Sequence, residues 1–431
     1  MHQGKNIYAL FLGICLSFLL IPTNALAEEV LNSGDTAWIL ISAGLVLFMM
    51  VPGLAMFYAG LVQKRNVLSV FMHCFGLTAL VTVIWTLFGY SIAFSEGNEF
   101  FGDLSKAFMQ GVSGDNLSGS IPELAFFVFQ MTFAIITPGL IVGAFAERMK
   151  FSAVLWFSGI WCVLVYLPIT HMVWSSGGYF AAMGVKDFAG GIVVHITAGT
   201  AALIAAMLVG KRSGYPDKPM PPHNMTMNLI GTAMLWVGWF GFNGGSALAA
   251  NGQAAMAIVV TQISPSVAAL VWIAIEWVKN GKPSALGFAT GAIAGLAAIT
   301  PAAGWVGPMG AIAIGAASSI VAYWAATWLK QTVGYDDALD VVGVHGFGGI
   351  VGTILVAFFA SSALGGSETN FDSMSQLKVQ VIAVVATIIY TAIVSYIILK
   401  LIDVISGLRV TDEVEANGLD LGDHGEVGYD S

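Results

Sequence analysis

The sequence predicts an all-α membrane protein: eleven transmembrane helices, the first ten forming a pseudo-two-fold inverted repeat of spans 1-5 and 6-10. Three observations carry that expectation. The 431 residues are 57% hydrophobic and only 10% charged, against roughly 25% charged in a soluble domain. A soluble fold of this size cannot bury so much apolar surface, so lipid must act as solvent for much of the chain. The apolar residues also fall into runs of the length a bilayer requires, about 20 residues each. Finally, short polar motifs recur in order in the two halves of the chain.

The first 27 residues read as a cleaved signal peptide, with Lys5 as the basic start, Ile7 to Leu20 as the apolar stretch and Ala25-Leu26-Ala27 as the cleavage site. The mature chain is then expected to begin at Glu28. Spans follow near 36–62, 67–94, 123–146, 151–175 and 188–210, then near 226–248, 254–278, 284–303, 308–329 and 343–361, with a last one at 376–405. Residues 28–406 thus form the membrane domain, with repeat halves at about 36–210 and 226–361. Gln63–Asn66, Pro216–Pro222 and Gly281–Pro283 supply breakers between spans. Residues 95–121, rich in Gly, Ser and Asp, hold no span. Residues 407–431 form an acidic, polar tail expected to be at least partly ordered.

Lys and Arg fix the expected direction, because cytoplasmic loops collect them. With the mature N-terminus outside, twelve basic residues from Lys64 to Arg409 fall on the cytoplasmic side. Only Lys106, Lys186 and Lys378 fall outside. The tail is then cytoplasmic. No basic stripe suggests nucleic acid. Cys74 and Cys162 lie in apolar runs without metal-ligand or disulfide spacing.

The repeat shows in three matches: a Thr-Pro step, an Asp-to-Gly run and a histidine after it. Thr137-Pro138-Gly139 in span three matches Thr300-Pro301-Ala302 in span eight. Asp187-Phe188-Ala189-Gly190 before His195 matches Asp340-Val341-Val342-Gly343 before His345. Five spans per half is an odd number, so the halves must insert in opposite senses, which places a path for a solute at their interface near the midplane.

His195 and His345 stand inside glycine-rich apolar helices, a position where polar groups are costly and usually functional. A lone histidine there is as readily a core residue bonded to a carbonyl. Two at matching positions in an inverted repeat are expected to meet at the centre, where paired neutral imidazoles each offer one donor and one acceptor. His73 and His171 have no such partner and read as structural or vestibular. Phe133, Trp174, Phe242 and Ser246 are expected at one depth near the outer face, as a ring of aromatic faces able to hold a bare cation at about 0.5–2 kcal/mol per face. Trp38, Trp85 and Trp328 read instead as lipid-facing or belt residues. Asp187 opens span five, where a carboxylate bonds the helix's first amides; carrying a proton is a secondary role. No nucleotide-binding loop, GxSxG or HExxH is present, so the chain reads as no enzyme and needs no cofactor. A bundle with two inward histidines also suits haem ligation, and a sensor acting through the tail is a third reading.

At these residues the chain resembles the ammonium transporter (Amt/Mep/Rh) family, most closely its bacterial members. The resemblance rests on Asp187-Phe188-Ala189-Gly190-Gly191 with His195, on Gly143 to Arg148, on Trp239 to Ser246, on Gly343-Val344-His345-Gly346 and on the tail from Gly407-Leu408-Arg409-Val410 to His424-Gly425-Glu426. It implies a homotrimer in the bacterial inner membrane, each protomer with its own path. It implies ammonium bound by Phe133, Trp174, Phe242 and Ser246, a gate of Phe133 over Phe242, and His195 and His345 lining a pore for ammonia, with the proton crossing separately. Asp187 keeps a structural or proton-related role. The tail implies a PII-type signalling protein as partner.

Overall fold

The computed structural model describes residues 30–429. The expected signal peptide and its cut before Glu28 lie outside them. A helix stands near each of the expected spans. Among the described residues, nine are long and apolar enough to cross a membrane: α1 (Ser33–Leu61), α2 (Lys64–Phe94), α3 (Glu123–Phe145), α4 (Phe151–Ala182), α5 (Gly191–Val209), α7 (Gly252–Asn280), α9 (Pro308–Val333), α10 (Val342–Phe359) and α11 (Ser373–Ser406). The sixth, α6 (Met225–Gly245), carries too much Asn, Thr and Gly to join that set by composition. The eighth, α8 (Ala285–Ile299), is only 15 residues long and is almost wholly enclosed by its neighbours.

Polar residues set the helix ends. Asn32, Asn224, Asn251, Ser284 and Asp372 each accept backbone N–H bonds from the first turn of the helix that follows, which satisfies donors that a helix start leaves free. Gly281 closes α7 with φ of 74°, and Gly334 closes α9 with φ of 79°, backbone that a side chain disfavours. The region before α3 holds only a short turn and the two-residue hairpin β1 (Leu117–Ser118) with β2 (Ile121–Pro122).

The inverted repeat shows in the packing. The first helices of the two halves, α1 and α6, lie against each other, and the fifth helices, α5 and α10, cross at the centre. That crossing is very close. A Cβ added to Gly199 would lie 2.2 Å from the Cα of Gly346, so only glycine permits it, as at other close crossings of membrane helices. Trp85, expected to face lipid, is buried: it is 1% exposed and its indole N–H donates to the Phe127 carbonyl at 3.2 Å. It fills the space between α2 and α3, a packing role that outweighs belt placement. Trp328 is 56% exposed, as a belt residue would be.

The tail forms two short helices, α12 (Asp412–Asn417) and α13 (Leu419–His424), seated on the loops α1–α2, α3–α4 and α5–α6. Leu419 N–H donates to Asn66 Oδ1 and Ser69 N–H to Asp420 Oδ1, at 2.8 and 2.7 Å. Phe151 N–H reaches Asp423 Oδ2 at 3.0 Å, and Ser213 N–H reaches Glu415 Oε1 at 2.7 Å. Arg409 pairs with Glu415 and donates to the Val209 carbonyl. Beneath the tail lies a buried ion network. Arg212 bonds both Asp336 and Glu147 at 2.8 Å. These bonds raise the Arg212 pKa against the opposing effect of burial, and hold Asp336 below its usual range although burial alone would raise it. Arg148 donates to the carbonyls of Ala144, Ala146, Gly210 and Asp336. Burial brings its guanidinium down to about 10.

Candidate functional site

The α5–α10 crossing brings His195 and His345 together. Both are buried, their rings are stacked at 5.2 Å and 22°, and their Nδ1 atoms stand 3.2 Å apart. One Nδ1 must therefore carry the shared hydrogen and the other its lone pair. Neither element could host a haem iron at this pair, because nitrogens so close leave no room for a metal and its porphyrin between them.

Each histidine sits in a π-helical turn, Gly191–Ile196 and Val342–Phe347, at the start of its helix. Such turns widen the ladder and recur at functional sites. Asp187 secures the first. Its carboxylate accepts N–H bonds from Gly190, Gly191, Ile192 and Val193, between 2.5 and 3.1 Å. Burial nevertheless raises its pKa above the ordinary range. The second turn has a different keeper from the one its motif suggested. Asp337, not Asp340, lies eight residues before its histidine as Asp187 does, and its Oδ2 accepts the Val342 N–H at 2.7 Å. Asp340 occupies the place of Gly190: both have positive φ, 60° and 115°. The Asp340 carboxylate turns instead to Lys330 Nζ at 2.5 Å. Burial and the neighbouring Asp340 push Asp337 up to about 6.

A slot of about 10 Å³ runs past the imidazoles, about the least space that admits one water-sized molecule. Its walls are apolar, with Ile136, Leu140, Val194 and Leu235 beside the rings of Trp239 and Phe242. The ring of Phe242 closes one end against Phe133, with centroids 4.1 Å apart and planes at 30°. Trp174 meets Phe133 edge-on at 5.8 Å, and its indole N–H donates to the Asp187 carbonyl at 2.8 Å. Ser246, one turn beyond Phe242, donates its hydroxyl to the Phe242 carbonyl at 2.9 Å. Three of the four expected vestibule residues are thus in ring contact, and the fourth is tied to the backbone of one of them. At the other end His345 borders a cavity of about 320 Å³ on the tail face, lined also by Tyr58, Arg212, Tyr215, Lys330 and Asp340.

Two further residues, one quoted in a motif without a role and one not singled out, stand at the site. Trp239 stacks on His195 at 5.5 Å and 28°, and Thr300 accepts its indole N–H at 2.8 Å. Asp337 was legible through its spacing of eight from His345. The ring nitrogens of His171 lie 3.0 and 2.8 Å from the carbonyl oxygens of Ala93 and Asn98, and His73 is buried against Phe151, so both stand apart from the slot.

Residues 37–429 match the model of the Ammonium Transporter Family. An ammonium transporter of Aquifex aeolicus is 45% identical over 97% of this chain and 98% of its own length. The solved structure of a sensor Amt protein superposes with a TM-score of 0.85, at 28% identity, over 91% of this chain and 98% of its own. Mep2 of Candida albicans superposes at 0.83 and 32% identity, over 89% of this chain and 88% of its own. Fold, whole-length similarity and family model converge: this multi-pass membrane chain belongs to the ammonium transporter family, whose work is carriage of ammonium and not catalysis.

Proposed function

We propose that ammonium is captured at the aromatic face formed by Phe133, Trp174, Phe242 and Ser246, loses its proton there, and passes as ammonia along the slot beside His195 and His345. The proton crosses separately, so transport moves charge. The observation that carries this reading is the histidine pair, 3.2 Å apart, inside a slot with room for one small molecule. Ammonium and potassium have similar radii, so size cannot separate them. Potassium has no proton to lose and must shed its water without oxygen ligands to replace it. Ammonia is neutral and meets ring nitrogens that donate and accept.

The aromatic ring contacts support the capture step, since quadrupoles favour a bare cation over a neutral solute. Phe133 over Phe242 closes the slot from the far face and serves as its gate. Asp187 holds the turn that presents His195. Arg65, Lys150, Arg212 and Arg409 all gather beneath the tail, whereas Lys106 and Lys186 pair with Glu123 and Glu368 elsewhere. That asymmetry supports a cytoplasmic tail, an outer N-terminus and a bacterial inner membrane. The seated tail supports a PII-type protein acting at the mouth of the 320 Å³ cavity, in a homotrimer of separate paths.

The test is a current across proteoliposomes on a solid support, evoked by ammonium and by an equal pulse of potassium. A transient with ammonium alone is expected. Silence with both overturns charge-moving transport. A potassium transient of equal size overturns the selectivity.

A further inference from the structure

We infer that Thr300 is a positioning residue for conduction: its hydroxyl fixes the Trp239 indole, and the indole fixes the plane of His195. This rests on the reading of His195 as a pore residue. It gives a function to the Thr-Pro repeat, which that reading leaves idle.

Thr300 ends α8, is fully buried, and donates its hydroxyl to the Leu296 carbonyl at 2.8 Å. Thr137, its match in the other half, makes the same bond one turn back, to the Phe133 carbonyl at 2.7 Å. A hydroxyl whose hydrogen is so committed still has lone pairs. At Thr300 one of them accepts the Trp239 N–H at 2.8 Å. The acceptor comes from α8 and the donor from α6, so the bond ties two helices together at the slot wall.

Trp239 is an elbow. Its ring lies nearly parallel to His195, at 5.5 Å and 28°, and 5.5 Å from Phe242, which closes the slot. The Nε2 of His195 is buried without a hydrogen-bond partner among the described residues, and Phe242 stacks on the ring from further away, at 6.3 Å and 23°. Its orientation therefore rests on the Nδ1 contact with His345 and on two stacked rings, of which the indole is the nearer, at 5.5 Å against 6.3 Å for Phe242. If the indole rotates, the imidazole loses a planar wall and the Nδ1 contact loses its aim. Hydrogen bonding steepens within so narrow an angular range that a modest tilt weakens it.

Four variants of the full-length protein test this: Thr300→Val, Thr300→Ser, Trp239→Phe and the double Thr300→Val/Trp239→Phe. Valine keeps the shape and removes the acceptor. Two readouts are taken in proteoliposomes and detergent: the ratio of ammonium to potassium transient, with potassium set at its detection limit where no transient is seen, and the ultraviolet resonance Raman band of the Trp239 indole N–H. Thr300→Val is expected to lower the ratio about ten-fold, the scale of one lost buried hydrogen bond, and to shift the indole band. Thr300→Ser should restore both. Adding Thr300→Val to Trp239→Phe should cost nothing further, because the donor is already gone. An unchanged ratio in Thr300→Val, or an equal loss in the Trp239→Phe background, overturns the inference, the latter assigning Thr300 to its helix end alone. His195→Ala separates the two claims. If His195→Ala alters the ratio and Thr300→Val does not, only the inference falls. If His195→Ala leaves the ratio unchanged, the twin-histidine reading falls and takes the inference with it.

Discussion

The two π-helical turns that carry His195 and His345 descend from one pattern and are held in different ways. In the first, a single carboxylate, Asp187, gathers four backbone N–H groups, and Gly190 makes the left-handed bend. In the second, the work is divided. Asp337 takes the Val342 N–H, while Asp340 makes the bend and pairs with Lys330. The first turn lies under closed aromatic rings and the second borders an open cavity of about 320 Å³. Equivalent turns have thus diverged, one to anchor rigidly and one to face a wide mouth.

The sharpest way to break the comparison is at the crossing itself, which is unequal. A Cβ on Gly199 meets the Gly346 Cα at 2.2 Å, whereas a Cβ on Gly346 meets the Gly199 Cα at 3.3 Å. Gly199→Ala should separate the helices and abolish both folded yield and ammonium current, and Gly346→Ala should retain much of each. Equal behaviour by size-exclusion yield and current would remove the asymmetry. Next in size, Asp187→Ala strands four buried N–H groups and Asp337→Ala strands one, at about 1–3 kcal/mol for each left unsatisfied. The drop in thermal midpoint should be several-fold larger for Asp187→Ala.

At the histidines, His195→Ala should admit potassium, read as a potassium transient that the unaltered protein lacks. Ser246→Leu should be milder, weakening the response only at low ammonium, since its hydroxyl is tied to the Phe242 backbone. The smallest effect concerns protons. Asp337 is pushed up to about 6 from 3.8, so between those pH values the folded chain binds more protons than the unfolded one. Its contribution to stability is then greatest below that window and falls as pH rises through it, by roughly 3 kcal/mol at most. Asp337→Asn should flatten the thermal midpoint between pH 4 and 6, relative to the unaltered chain; an unchanged slope would show that other groups set it.

Helix positions were legible because apolar runs and breakers obey the length of the bilayer and the chemistry of helix ends. The histidines were legible because charge-capable groups are rare at such depth. Asp340 was matched to Asp187, and Asp337 overlooked, because the Asp-to-Gly run that begins at Asp340 resembles the one that begins at Asp187. Counting back eight residues from each histidine recovers the true pairing. Trp239 and Thr300 each stood in a quoted motif, but their pairing stayed hidden for another reason. Their bond joins residues 61 apart, and nothing local to a tryptophan distinguishes a slot wall from a lipid belt. Trp85 failed in the same way. The tail's helices lack any apolar run, and only its seat on three loops reveals why it is ordered.

That seat turns the chain nearly into a ring. Leu419 meets Asn66 across 353 positions of sequence. A closure of this length gains nothing until the helices between its ends are in place. The segments it touches belong to α1 through α6. The seat is therefore a readout of how those helices are placed: a chain in which one of α1 to α6 is displaced offers these segments at the wrong positions and leaves its acidic end undocked.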